Sequence, residues 1–273
     1  MTPPTAEPLP HGKATYAVDG GVALITLTNP PANGYSYEMM RDLDEAILKA
    51  RFDPAVHVLV LAGAGERFFC AGADISMLDA VTPTFKYAFC LHANETLLRL
   101  EHTPKLVIAA LGGHCVGGGL EVALAADLRF ARRGSGKCGL PEVNLGVLPG
   151  TGGTQRLVRL VGRPRALELM ATGRTFDYDE AERLGLVDRQ IDAADDAAFL
   201  AEVLQQARQF CPPHRASLAV GLIKRAVVSG ADLPLESGLA LERELQQRLF
   251  TSEDAREGIN AFATKRAPGF QGR

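Results

Sequence analysis

The chain has 273 residues, of which 47% are hydrophobic and 22% charged, with a formal net charge of -3. These values suit a globular protein with a sizeable core, built as one large domain or a domain with an appendage. They exclude a dominant nucleic-acid surface, which needs a strong basic excess, and the apolar stretch Leu106 to Leu120 is too short and too broken by glycine to span a membrane.

The first 13 residues, MTPPTAEPLPHGK, are Pro-rich and carry acid without an apolar stretch, so they read as a loose extension and not as a signal peptide. YAVDGGVALITLTNP predicts a hairpin, with alternating apolar residues on either side of Asp19-Gly20-Gly21. Ser36 is placed to cap a helix over SYEMMRDLDEAILKAR, where Met39, Met40, Leu43, Ile47 and Leu48 recur at helical spacing. VHVLVLAG follows as a short strand of the fully buried kind, and this order of strand, helix and strand implies right-handed α/β winding. The glycine-rich loop GAGERFFCAGADISML runs into a short helix, and a longer helix covers about residues 85–101. KLVIAAL is a strand, GGHCVGGGLEVALAAD is a glycine loop feeding a helix, and DLRFAR is another strand. CGLPEVNLGVLPGTGGTQRLVRLVG is a Pro/Gly-rich loop followed by a helix, and 166–172 and 178–184 are helical. From Ala197 the pattern is nearly all helical, broken at Cys211-Pro212-Pro213 and around Gly230 and Pro234. The composition thus divides the chain into an extension (1–13), an α/β core (14–195) and a helical region (196–273), with no repeat readable in the sequence.

Five cysteines, Cys70, Cys90, Cys115, Cys138 and Cys211, are irregularly spaced and form no CxxC. They read as buried free thiols of a reducing compartment, the cytoplasm. Cys70 and Cys115 adjoin glycine-rich loops, but no Cys/His pairing supports a nucleophilic thiol. No His/Asp/Glu cluster has metal-ligand spacing.

Three glycine-rich loops each end at a helix start. Backbone N–H groups there lack intrahelical partners, the helix dipole adds positive potential, and glycine admits a ligand close to the backbone. Such ends can hold an oxyanion or phosphate, although a single loop of this kind more often serves a tight turn. The nucleotide readings are weak: GAGERF lacks the third glycine of a dinucleotide fingerprint, and GSGK at 134–137 is a fragment of a phosphate loop. The carboxylates are more telling. Glu121 follows Gly117-Gly118-Gly119-Leu120, in the first turn of a helix, and Glu142 follows Pro141 in a loop with little charge nearby. Each alone has a bland explanation as a first-turn or solvated acid. Two acids beside glycine-rich turns in apolar segments suit paired general acid/base work, with partial burial raising one pKa.

FCAGADI, GHCVGGGLEVALAADLRFA, LPEVNLGVLPGTGGTQRLVRLVG, the TG and EAERLGLVD stretch, and FTSEDAREGINAFATKR occur in that order. Together they closely resemble the enoyl-CoA hydratase/isomerase (crotonase) family, over nearly the whole chain after about residue 14. The resemblance implies an α/β spiral of repeated ββα-type turns and a C-terminal all-helical region that mediates trimers, or hexamers made as a dimer of trimers. It implies an acyl-CoA thioester as substrate, with CoA part of the substrate and no separate cofactor, while the spacing, charge and hydropathy above lead us to expect no metal and no nucleic-acid or membrane partner. On the family pattern the backbone N–H groups of Ala73 and Gly118 form an oxyanion hole for the thioester carbonyl. Fixed donors aimed at developing charge need no reorganisation, and losing one costs roughly 3–4 kcal/mol of transition-state stabilisation. Glu121 would hold and deprotonate water, Glu142 would deliver a proton to C2, and the Gly150 backbone would help position the water. Ala32, Ala71 and Ile75 match backbone positions that meet CoA. Phe262 and Lys265 match C-terminal residues that reach its nucleotide end, in some members from a neighbouring subunit.

Two departures touch the pocket. Gly34 and Tyr35 stand in PPANGYSYEMM where the family often has a hydrophobic residue, and Ser76 stands where some hydratases have lysine. The expected reaction is hydration of a 2-enoyl-CoA to a 3-hydroxyacyl-CoA. Its alternatives are an isomerase, which often needs only an acid in the Glu142 region, a dehydratase of a specialised pathway, and an RNA-binding relative, which the acidic balance disfavours.

Overall fold

The computed structural model describes residues 6–273, apart from the side chains of Ile75 and Ser76. Strands β1 (Glu7–Pro8), β2 (Ala14–Asp19) and β3 (Val22–Leu27) form an antiparallel edge, with the expected turn at Gly20 and Gly21. The Ser36 side chain caps α1 (Tyr37–Phe52) by accepting from the Met39 N–H, and the helix buries Met39, Met40, Leu43 and Ile47. The chain then makes three turns of one kind. β4 (Val58–Gly63) leads to β5 (Phe68–Cys70), α2 (Ile75–Ala80) and α3 (Pro83–Glu101). β6 (Leu106–Leu111) leads to β7 (His114–Val116) and α4 (Gly118–Leu124). β8 (Leu128–Arg132) leads to β9 (Lys137–Gly139), a 3-10 turn at Glu142–Leu145, α5 (Gly153–Val161) and α6 (Arg163–Thr172). β10 (Phe176–Asp177), α7 (Tyr178–Arg183) and β11 (Arg189–Ile191) complete this part.

The first strand of each turn enters a seven-stranded sheet, ordered β1-β2-β3-β4-β6-β8-β11 and parallel from β3 onward. The second enters a four-stranded sheet, β10-β9-β7-β5, parallel apart from β10. This is the ββα spiral that the resemblance implied. Its second sheet was not legible as strands, because β5, β7 and β9 are three residues long and β10 two, too short to show a period.

The large sheet is buried on both faces, as its apolar strands require. One face carries Ile25, Leu59, Leu61, Val107 and Ala109 into the main core. The other carries Val58, Val60, Ile108 and Phe130 against Phe199, Val203 and Ala207 of α8 (Asp196–Arg208). α8 lies beyond residue 195, where the composition turns helical, so sheet packing continues across that point. α9 (Ser217–Gly230), α10 (Leu235–Phe250) and α11 (Glu253–Ala263) follow. Among the described residues no helix is long and apolar enough to cross a membrane.

The N-terminal segment differs from the loose extension expected. Residues 1–5 lie outside the described residues, but Glu7 and Pro8 pair with Tyr16 and Thr15, and Leu9 is buried. Buried Asp42 of α1 accepts from the N–H groups of His11 at 2.9 Å and Lys13 at 2.7 Å. Proline is tolerated on a sheet edge, so a Pro-rich composition did not prevent pairing there.

Candidate active site

β5, β7 and β9 run parallel, with Cys70 facing Cys115 and Cys115 facing Cys138. The loops leaving their carboxyl ends therefore emerge side by side, at the edge where open α/β sheets commonly hold ligands. The second loop is tied to the third by the Gly117 N–H, which donates to Gly139 O at 2.8 Å. Gly117 has φ 56° and ψ -135°, a conformation that excludes most side chains. The first and second loops also touch: a Cβ on Gly72 would lie 3.1 Å from the Gly118 nitrogen.

This contact sets the two expected oxyanion donors. Tyr35 and Ala73 form a parallel bridge in which the Tyr35 N–H donates to Gly72 O at 2.9 Å and the Asp74 N–H donates to Tyr35 O at 3.1 Å. That pattern uses the neighbours of Ala73 and leaves its own N–H turned away from Tyr35. The Gly118 N–H opens α4, where intrahelical acceptors are absent. Among the hydrogen bonds of the described residues, neither donor has an acceptor.

Glu121, in the first turn of α4, is 1% exposed. Its Oε1 accepts from the Thr151 N–H at 2.8 Å and the Gly153 N–H at 2.7 Å, and its Oε2 accepts from the Thr151 hydroxyl. An ionised carboxylate has about four acceptor positions, so these three donors leave one, on Oε2. Glu142 contrasts with it. Its Oε2 is buried and has no partner among the described residues. Burial raises its pKa from 4.5 to about 7, and the charge of Glu121 adds to the shift, while its own backbone N–H and Lys86 oppose it. Near neutral pH this carboxyl can both hold and release a proton, which is where acid/base catalysis is most effective. Glu142 Oε1 stands 3.0 Å from where a Gly117 Cβ would be, so it lies against the loop that carries Gly118.

The other expected positions divide into two groups. Ala32 and Ala71 are joined by the Ala71 N–H, which donates to Ala32 O at 3.0 Å. Ile75 opens α2, its side chain outside the described residues, as is that of Ser76. Gly150 precedes Thr151 in the loop that grips Glu121, and its N–H has no acceptor among the described residues. Phe262 and Lys265 stand apart. Phe262 is 88% exposed at the end of α11 and Lys265 is exposed just beyond it, and no hydrogen bond of the described residues links them to the glutamates. The thiols beside the loops are inert in this setting: burial raises Cys70 to about 12 and Cys115 well above its ordinary value. His114 Nδ1 accepts from the Lys137 N–H at 3.0 Å, so it is a satisfied turn residue. Among the described residues no group of three or more His, Cys, Asp or Glu could hold a metal ion.

A sequence profile described as enoyl-CoA hydratase/isomerase matches residues 17–273. The chain belongs to the enoyl-CoA hydratase/isomerase family. A probable enoyl-CoA hydratase of Bacillus subtilis (strain 168) is 40% identical over 262 residues, covering 94% of this chain and 98% of that one. The (E)-benzylidenesuccinyl-CoA hydratase of Thauera aromatica is 38% identical over 262 residues, with the same coverage of 94% and 98%. An enoyl-CoA hydratase structure from Geobacillus kaustophilus HTA426 superposes with a TM-score of 0.92 at 44% identity, covering 96% of this chain and 97% of that one. The protein is thus an enzyme of the enoyl-CoA hydratase/isomerase family with the crotonase fold.

Within this family frame, the grip on Glu121 is what the sequence did not reveal. Thr151 and Gly153 lie in the PGTGGT run, which reads as a turn and helix start; only the folding of that loop back onto α4 shows that their donors serve a glutamate 30 and 32 residues away.

Proposed function

We propose that the protein adds water across the 2,3 double bond of a 2-enoyl-CoA thioester to give the 3-hydroxyacyl-CoA. The observation that carries this reading is the division of labour between two glutamates beside free backbone donors. Glu121 is held by three donors with one acceptor position left on Oε2, and Glu142 keeps a buried, unpartnered oxygen and a pKa of about 7. In the forward direction water rests on Glu121 Oε2 and attacks C3, and Glu121 takes its proton. The electron pair of the double bond moves toward the thioester oxygen, where the Ala73 and Gly118 N–H groups stabilise the enolate. Protonated Glu142 then delivers its proton to C2, and the Gly150 N–H helps to orient the water. Dehydration runs the same steps in reverse.

The remaining assignments follow the same reading. The backbone of Ala32, Ala71 and Ile75 lines the path of CoA. Phe262 and Lys265, exposed on one copy, reach the nucleotide end of CoA bound to another. Exposed Ile223, Val227, Leu235, Phe250 and Ile259 support association into trimers or hexamers. The five free thiols support a cytoplasmic location.

Loss of the conjugated-thioester absorbance of crotonyl-CoA tests the reaction. Glu121→Gln and Glu142→Gln each lower kcat by about two orders of magnitude or more, the scale of a positioned acid or base. Full activity in both variants would overturn hydration by this pair, and preferential turnover of 3-enoyl-CoA substrates would assign isomerisation instead.

A further inference from the structure

Tyr35 lies in the run between β3 and α1, and the hydration steps above do not use its side chain. It is 3% exposed, with its ring 5.7 Å from that of Phe89. It lies so close to Gly118 that a Cβ there would be 1.7 Å from Tyr35 Cε1. Its hydroxyl reaches Thr151 Oγ1 at 3.5 Å, and Thr151 is the residue whose backbone and hydroxyl both bind Glu121.

The direction of these bonds follows from counting protons. An ionised glutamate only accepts, and a threonine hydroxyl has one proton to give. Thr151 gives that proton to Glu121 Oε2, so toward Tyr35 it presents a lone pair, and Tyr35 is the donor. Burial, and then the charge of Glu121, push the phenol well above its ordinary pKa, so this donor keeps its proton. In a buried setting a donor left without its acceptor is costly, which gives the chain one stable polarity.

We propose that Tyr35 is a positioning residue for the reacting water: the one-way chain from the Tyr35 hydroxyl through Thr151 to Glu121 Oε2 fixes the Thr151 hydroxyl and leaves the other acceptor position of Oε2 open to water. Without the phenol hydroxyl, the Thr151 hydroxyl is free to turn away, and Oε2 is left with two open positions and no defined direction for the water. The kinetic part of this inference rests on the hydration reading; the structural part does not.

The test uses the full-length protein and compares Tyr35→Phe, Thr151→Val, Thr151→Ser and the double variant Tyr35→Phe/Thr151→Val. Tyr35→Phe keeps the ring against Gly118 and removes the hydroxyl alone. It is expected to lower kcat on crotonyl-CoA about 5- to 20-fold, the scale of one buried hydrogen bond, with KM changed by less than about twofold. Thr151→Val lowers kcat at least as much, the double variant is no worse than Thr151→Val alone, and Thr151→Ser restores most of the loss. Amide hydrogen exchange of Thr151 and Gly153, whose N–H groups bind Glu121, rises several-fold in Tyr35→Phe. Wild-type kcat together with unchanged exchange in Tyr35→Phe would overturn the proposal. So would kcat losses that multiply in the double variant, since Tyr35 would then act independently of Thr151. The exchange measurement needs no substrate: faster exchange in a protein that hydrates no enoyl-CoA would leave the chain standing and remove the proposed reaction.

Discussion

In the proposed reaction Glu142 delivers a proton to C2, and the fold favours its acid form by burying one of its oxygens without a partner. With its pKa at about 7, the acid form that hydration needs is lost as pH rises through that value. The value of kcat/KM for hydration is therefore expected to fall above pH 7, and the residual activity of Glu142→Gln is expected to lack that limb; a limb that persists in the variant would belong to another group. The same shift affects stability. The folded protein binds this proton more tightly than the unfolded chain, whose carboxyl titrates near 4.5. Its contribution is thus full below that value and lost as pH rises from there through 7. Each pKa unit corresponds to about 1.36 kcal/mol, and after allowance for partial exposure the loss is on the order of 1–3 kcal/mol. Urea unfolding at pH 5 and pH 8 measures it, and the difference between the two is expected to shrink by that amount in Glu142→Gln. At this scale the sequence singled out Glu121 and Glu142, because they sit in glycine-rich, weakly charged runs. It was silent about how they differ, because the grip of Thr151 and Gly153 on Glu121, the contact of Tyr35 with Thr151 and the burial of Glu142 arise only through folding.

The helices and the long strands were legible because each carries enough residues to display a period or a cap, as Ser36 and the methionines of α1 do. The second sheet was not, although it presents the site. Its strands FFC, HCV and KCG each set a cysteine in register with the next, a recurrence that becomes a signal only once the strands are known to be neighbours. The attachment of α9 was equally hidden. Lys224 pairs with Asp127 at 2.8 Å and also donates to Lys105 O at 3.1 Å and Leu100 O at 3.4 Å. Burial lowers the Lys224 pKa and raises that of Asp127, and each partner counteracts the shift of the other. Removing one member of such a pair leaves an uncompensated buried charge, at a cost of about 3–5 kcal/mol. Lys224→Met is expected to lower unfolding stability by that amount in urea, and Lys224→Met/Asp127→Asn to recover part of it. A loss under about 1 kcal/mol, the scale of a surface pair, would show that α9 is held by its apolar contacts instead.

Across the whole molecule, the glutamates occupy a compact loop cluster, while much apolar surface lies elsewhere. A cavity of about 590 Å³ opens between α5 and α9, with Leu160, Phe210, Ile223 and Val227 in its walls. Beyond it Leu235 and Phe250 are 78% and 65% exposed. Exposed apolar surface of this kind suits an interaction face, and in the proposed reading another copy of the chain covers it. Light scattering is then expected to give three or six times the 29.1 kDa chain mass. The combined substitution Val227→Asp/Phe250→Asp, which puts charge onto this exposed apolar surface, is expected to yield a folded monomer. The exposed positions of Phe262 and Lys265, unlinked to their own glutamates, make a further demand on this variant. If they complete the CoA site of a neighbouring copy, the monomer retains the Glu121–Thr151–Gly153 grip and the backbone donors but lacks the far end of the substrate pocket. Its KM for crotonyl-CoA should rise by about tenfold or more, as loss of binding that acts equally on ground and transition states requires, with kcat less affected. A folded monomer with the KM of the assembled protein would place the whole CoA site within one chain.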